Sequence, residues 1–198
     1  MEKPEDVMFS PAVKAEQTRL GSREAFEDRD WNTEITDDLR QFLAAIDTFF
    51  FATASADGRP YIQHRGGPAG FLKPIGSHTL AFADFAGNRQ YITLGHLKEN
   101  DRAHIFILHF ATQQRLKLWG RARVVEGDTE LMERLVDPSY KAKPRRAIAF
   151  TIEAWDINCR QHITARYSEA EIAPAVNQLT QRIKELEEEV ARLKGPPV

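Results

Sequence analysis

The chain changes hydrophobic period along its length. Through the middle, short apolar runs alternate or cluster between turn residues, which predicts strands. Near the end, apolar residues recur at steps of four and three, which predicts one long helix. FFFATAS, then Asp57-Gly58, then RPYIQHR, predicts a β-hairpin. TLAFAD, AHIFILHF and AIAFTIEAW predict further strands, and AHIFILHF is dense enough in apolar residues to predict burial on both faces. RLKLWGRARVV alternates cleanly. Leu116, Leu118, Gly120, Ala122 and Val124 share one face; Arg115, Lys117, Trp119, Arg121 and Arg123 share the other.

Helical signals flank these strands. Ser10-Pro11 reads as an N-cap followed by proline, and Gly21 as a stop, which predicts a helix over residues 11–20. Residues 22–35 are charged and weakly periodic, so they read as a wrapping segment anchored by Trp31. Thr36-Asp37-Asp38 opens a helix running to about Ile46, its acids placed where the helix dipole favours them. A short helix is expected over residues 129–135. Ser168-x-x-Glu171 is a capping box. Beyond it, Val176, Ile183 and Val190 take heptad position a, and Ile172, Leu179, Leu186 and Leu193 take position d, the pattern of a parallel two-stranded coiled coil. The expected organisation is a helical and wrapping segment (1–35), a mainly β domain with flanking helices (36–167) and a coiled-coil helix (168–194). Several short strands with few helices between them predict an antiparallel barrel or sandwich.

Composition narrows this picture. The 198 residues suffice for one domain with a core, and the net charge of -2 gives no global basic field for nucleic acid. With Cys159 as the sole cysteine, no internal disulfide framework exists, and a reducing cytoplasm is the simplest home. MEKPEDVMF carries acids and proline where a secretory signal needs a basic start and an apolar run. The apolar runs are too short to span a bilayer, so no membrane association is expected.

Two strand ends offer chemistry. QHRGGPAGFLK puts Arg65 before Gly66, Gly67 and Gly70, with Lys73 beyond. Glycines let a backbone approach a ligand, and the two cations could grip a phosphate. The alternative is a solvated turn bearing two surface charges. LAFADFAGNRQY repeats the logic: Asp84 ends a strand, Asn88 is a candidate N-cap, and Arg89 opens a segment, RQYITLGHL, that reads as a helix. A helix start supplies free N–H groups and a positive dipole end. The alternative there is a capped helix with an exposed arginine. The basic stripe around Trp119 suits either nucleic acid or a solvated or dimer face, and the near-neutral whole favours the latter. The six histidines show no metal-ligand spacing, and Cys159 near His162 reads as structural.

FFFATASADGRPYIQHRGGPAGFLK, LAFADFAGNRQYITLGHL, RLKLWGRARVVE and WDINCRQHI together resemble the pyridoxamine 5'-phosphate oxidase-like flavoproteins, and within them the predicted flavin-nucleotide-binding branch. The resemblance spans roughly residues 36–165. It implies a split β-barrel and a homodimer with FMN between the subunits. Arg65 and Lys73, with His64 and Gly66 in the same motif, correspond to the phosphate grip, although GGPAG lengthens the spacing. Phe82, Ala83, Asp84, Asn88 and Arg89 correspond to the strand end and turn that contact the flavin and its phosphate. Gln90 stands where authentic oxidases carry a second basic residue. Arg115 stands where they carry a glutamine that reaches the flavin from the partner chain.

The family's C-terminal arginine-histidine substrate motif is replaced by WDINCRQHI and the long helix, so vitamin B6 oxidation is not expected. Trp155, Asn158, Gln161 and His162 are candidate liners of a different pocket; a core anchor and a turn are the alternatives for Trp155 and Asn158. The resemblance therefore implies an FMN-dependent oxidoreductase acting on an unidentified small molecule. The alternative is a non-catalytic flavin- or haem-binding split barrel. No catalytic side chain and no metal ligand is assigned.

Overall fold

Each apolar period becomes the element it predicts, in a computed structural model that describes residues 3–158 and 161–194, with the backbone alone at Asn158. The elements run α1 (Pro4–Met8), α2 (Pro11–Arg19), α3 (Glu24–Glu27), α4 (Asp37–Ala44), β1 (Thr48–Ala54), β2 (Pro60–Gly66), β3 (Lys73–Pro74) and β4 (Thr79–Phe85). They continue α5 (Ile92–Glu99), β5 (Arg102–His109), β6 (Gln114–Val125), α6 (Thr129–Leu135), β7 (Pro144–Asn158) and α7 (Glu169–Lys194). The chain divides into two compact units, Met1–His109 with Gln114–Arg160, and Phe110–Gln113 with Gln161–Val198.

The first unit holds a seven-stranded sheet in the order β2-β1-β5-β6-β7-β4-β3. Every ladder is antiparallel. Among the described residues no ladder joins β2 to β3, so the sheet stays open at those edges. Alternation fills the core: Phe49, Phe51, Phe82, Ile105, Ile107, Leu116, Leu118 and Phe150 are all fully buried. Burying each such side chain stabilises the fold by about 1.5–3 kcal/mol. Phe82 meets Phe49 and Phe51 edge-on, with centroids 5.1 and 5.7 Å away. In β5 the expected two-sided burial is not found. Ala103, Ile105 and Ile107 are buried, whereas His104, Phe106 and Leu108 on the other face are half-buried.

Helix signals act as capping chemistry requires. Thr36 Oγ accepts from the Leu39 amide at 3.2 Å, starting α4 so that Leu39 and Leu43 are buried in the core. Ser10 caps α2 through the Val13 amide, and Asp128 caps α6 through the Leu131 amide. Trp31 is the expected anchor. It is buried, with Phe9 and Phe26 centroids 5.6 and 6.3 Å away and the Arg29 guanidinium 4.3 Å over its ring. α1 and β3, one short and one two residues long, carry no periodicity that a sequence could announce.

One glycine is dictated by close approach. The β6 register shifts between Trp119 and Gly120, and a Cβ at Gly120 would lie 2.0 Å from the Thr151 carbonyl oxygen. The charges beside it are neutralised locally. Arg121 binds Glu153 and Asp101, each at 2.7 Å, and Lys117 lies 3.8 Å from Asp156.

In the second unit, the Gln113 side chain donates to the Ile163 carbonyl and Arg166 lies over the Phe110 ring. The capping box of α7 forms as spelled: the Ser168 amide donates to Glu171 Oε2 at 2.7 Å, and the Glu171 amide to Ser168 Oγ at 3.3 Å. Among the described residues, no helix is long and apolar enough to cross a membrane.

Candidate functional site: an arginine-lined cleft

Alternation along β2 puts Tyr61, Gln63 and Arg65 on one face, where they line a cleft of about 330 Å³. Asp84 and Phe85 at the end of β4, the turn 86–91, the first turn of α5, and Arg145 and Arg146 on β7 complete its walls. Four arginines (65, 89, 145 and 146) thus line it, with Asp84 as the carboxylate among them.

Asp84 organises two of these cations. Arg65 Nη1 donates to Asp84 Oδ1 at 2.6 Å, and Arg146 Nε lies 3.5 Å from Asp84 Oδ2. The three side chains are only 13–20% exposed. Arg146 also binds Glu126 through Nη1, and Arg65 reaches Thr93 Oγ1 at 3.5 Å. The Arg65 guanidinium lies 5.7 Å from the centroid of the Phe82 ring, which supports it from the core. Arg65 Nε and Arg146 Nε are both buried and make no hydrogen bond, Arg146 Nε keeping only its 3.5 Å approach to Asp84 Oδ2. Buried donors normally find a partner, so guanidinium groups with unfilled hydrogen-bonding capacity in a cleft lined by four arginines fit an anionic ligand.

The turn before α5 is strained. Arg89 and Tyr91 have φ of 63° and 55°, in the left-handed region, which costs a non-glycine residue about 1–2 kcal/mol. Asn88 is not the N-cap that the sequence suggests. Its Oδ1 accepts from the Gln90 amide at 3.2 Å, closing a turn of its own, and α5 starts only at Ile92 after Tyr91. Arg89 therefore belongs to the turn and does not open the helix. Tyr91 provides no side-chain cap. The first-turn residues Ile92, Thr93 and Leu94 line the cleft, where a helix start presents amides without intrahelical acceptors.

The expected site residues divide by placement. Arg65, Asp84, Asn88, Arg89 and Gln90 meet at the cleft. His64 and Gly66 alternate to the other face of β2, where His64 Nε2 contacts Thr48 Oγ1 at 2.5 Å. Lys73 Nζ donates to the Arg134 carbonyl at 2.8 Å and does not line the cleft. Phe82 and Ala83 are buried in the two apolar clusters of this unit. Arg115 sits on β6 opposite Leu108 and Asn158, also outside the cleft.

Trp155 is a core residue, 6% exposed, with its indole N–H donating to the Glu34 carbonyl at 2.8 Å. Asn158 ends β7, and its side chain lies outside the described atoms, as does Cys159 entirely. Gln161 and His162 belong to the second unit. Two of the loop glycines answer local packing demands. The Gly67 amide donates to Asp47 and the Gly70 amide to Ile46, while a Cβ at Gly67 would meet the Phe71 ring at 2.6 Å.

Sequence reasoning missed Arg145 and Arg146. The signal was present in PRRAIAF, two arginines opening a strand. Only the β4–β7 register, which sets Arg146 opposite Asp84, gives it meaning.

The sequence profile of the pyridoxamine 5'-phosphate oxidase family matches residues 35–159, and the chain belongs to that family. No curated protein sequence matches it. Among solved structures, it is similar to a putative pyridoxamine 5'-phosphate oxidase from Lactobacillus delbrueckii, with 15% identity and a TM-score of 0.48, over 63% of this chain and 95% of that one. An FMN-binding protein from Syntrophomonas wolfei matches with 16% identity and a TM-score of 0.48, over 75% and 95%. The FAD binding protein from Mycobacterium smegmatis matches with 13% identity and a TM-score of 0.43, over 64% and 97%.

Proposed function

We propose that this chain is an FMN-binding oxidoreductase of its family, acting on an unidentified small molecule, with the flavin held between the subunits of a homodimer. The observation that carries the reading is the cleft lined by Arg65, Arg89, Arg145 and Arg146, in which the Nε atoms of Arg65 and Arg146 make no hydrogen bond. An FMN phosphate would supply an acceptor for these guanidinium groups. Arg65 and Arg146 would receive it, Arg89 would add charge from the turn, and the start of α5 would offer backbone amides. FMN supplies hydride or electron transfer at its ring N5. The chain's own residues bind the phosphate and fix the orientation of the ring. Asp84 keeps the two guanidinium groups in place before the ligand arrives, so less ordering remains to be done on binding.

The test is titration with FMN and with riboflavin, which lacks the phosphate, followed by quenching of flavin fluorescence. Each charge-assisted contact to phosphate contributes about 1.5–3 kcal/mol, so FMN binds at least about tenfold tighter than riboflavin. Equal affinities overturn the phosphate assignment. A flavin band near about 450 nm after loading, without a Soret band on added haem, separates this reading from a haem carrier. Substrate-dependent bleaching of that band separates an oxidoreductase from a flavin carrier.

A further inference from the structure

We propose that α7 is a surface through which two copies of this chain join, as a parallel two-stranded coiled coil that helps hold the subunits together. The inference does not rest on flavin binding. α7 is one continuous helix of 26 residues in which no residue is buried. Its apolar residues nevertheless fall on one stripe: Val176, Leu179, Ile183, Leu186, Val190 and Leu193 are 42–74% exposed. The opposite face is polar, with Gln181, Glu185, Glu188 and Arg192. A solitary solvated helix gains nothing from such segregation, whereas a seam that meets a partner does.

The occupant is specified by residue type and charge. β-Branched Val176, Ile183 and Val190 at position a, with Leu179, Leu186 and Leu193 at d, favour two parallel strands. In that arrangement, position g of one helix meets the following e of the other. Arg182 then faces the partner's Glu187, and Glu189 faces the partner's Lys194, so both flanks are attractive in a pair of identical helices. Within one helix these residues are five apart and are not neighbours. In the single chain Arg182 turns instead to Glu185 at 3.2 Å, and Glu189 to Arg192 at 3.8 Å. These exposed contacts exchange at little cost when a partner arrives. Pro174 lies inside the helix, where it removes one backbone donor, and Ile172 at position d precedes it.

The experiment uses the full chain with Cys159→Ser, into which Leu186→Cys or Gln181→Cys is introduced. A disulfide cannot bridge Cα atoms more than about 7 Å apart. A parallel seam sets the two copies of position 186 side by side and the two copies of 181 on opposite outer faces. Under mild oxidation, L186C is expected to form a covalent dimer at least about tenfold faster than Q181C. Failure of L186C to cross-link overturns the proposal, because antiparallel pairing faces 186 with a different residue. Equal rates for both variants overturn it as well, since they report collision without register. Neither result touches the FMN and riboflavin titrations, so the two readings fail separately.

Discussion

Arg65 and Arg146, 81 positions apart in the chain, approach different oxygens of one carboxylate, that of Asp84, and the buried Nε of each makes no hydrogen bond. Asp84 therefore has two opposing effects. It neutralises the arginines in the folded protein, and it weakens the field that any incoming anion experiences.

Asp84→Asn separates these effects. Removing one partner of a nearly buried ion pair leaves uncompensated charge, at a cost of about 3 kcal/mol of folding stability. FMN affinity is expected to rise, while riboflavin affinity stays unchanged. Denaturant melts with and without each flavin check both directions. A fall in FMN affinity with intact folding would show that the positioning of the two arginines by Asp84 outweighs its screening of their charge.

Arg146→Gln tests the arginine that sequence reading missed. FMN binding is expected to weaken by about 1.5–3 kcal/mol, the scale of one charge-assisted contact, with riboflavin binding unaffected. Arg65→Gln should behave alike. An equal loss for both flavins would place these residues in shape maintenance and not at the phosphate.

His104 predicts acid sensitivity. Burial, with the Lys117 ammonium adding to it, holds its pKa down at about 4, against an ordinary 6.5. The unfolded chain therefore binds a proton that the folded chain refuses. Stability is unaffected above about pH 6.5 and falls as pH drops from there to about 4. The loss approaches about 3 kcal/mol. His104→Phe keeps a ring against Trp119, whose centroid lies 4.9 Å away, and is expected to flatten this part of the stability–pH curve. An unchanged curve would assign the acid loss to other groups.

Two glycines predict opposite outcomes. Gly120→Ala drives a Cβ into the Thr151 carbonyl and is expected to cost about 3 kcal/mol or more. Gly95 lies inside α5, where a Cβ meets nothing within 4 Å, so Gly95→Ala is expected to stabilise by about 0.5–1 kcal/mol. Thermal melts of both variants read the difference.

Pyridoxal phosphate formation from pyridoxamine phosphate by FMN-loaded protein is expected to be absent or feeble. WDINCRQHI and α7 replace the arginine-histidine substrate motif that the resemblance would require. Robust turnover would show that other groups hold that substrate.

Local chemistry by itself determined much of this protein. Side-chain alternation assigned the faces of β6, and Thr36, Ser10 and the Ser168–Glu171 box set helix starts, because a cap or a pleat needs only neighbouring residues. The heptad stripe of α7 was legible for the same reason. Tertiary structure decided the rest. Only the β4–β7 register brings Arg146 to Asp84, only the bulge beside Thr151 explains Gly120, and only three-dimensional packing turns Lys73 to the Arg134 carbonyl and Trp155 to Glu34. Asn88 looked like a helix cap because its residue type suits that role, but left-handed backbone at Arg89 and Tyr91 delays α5 until Ile92. Caps and alternation are properties of a few adjacent residues. A cleft is a property of strand order, which pairs residues far apart in sequence and leaves no periodic trace along the chain.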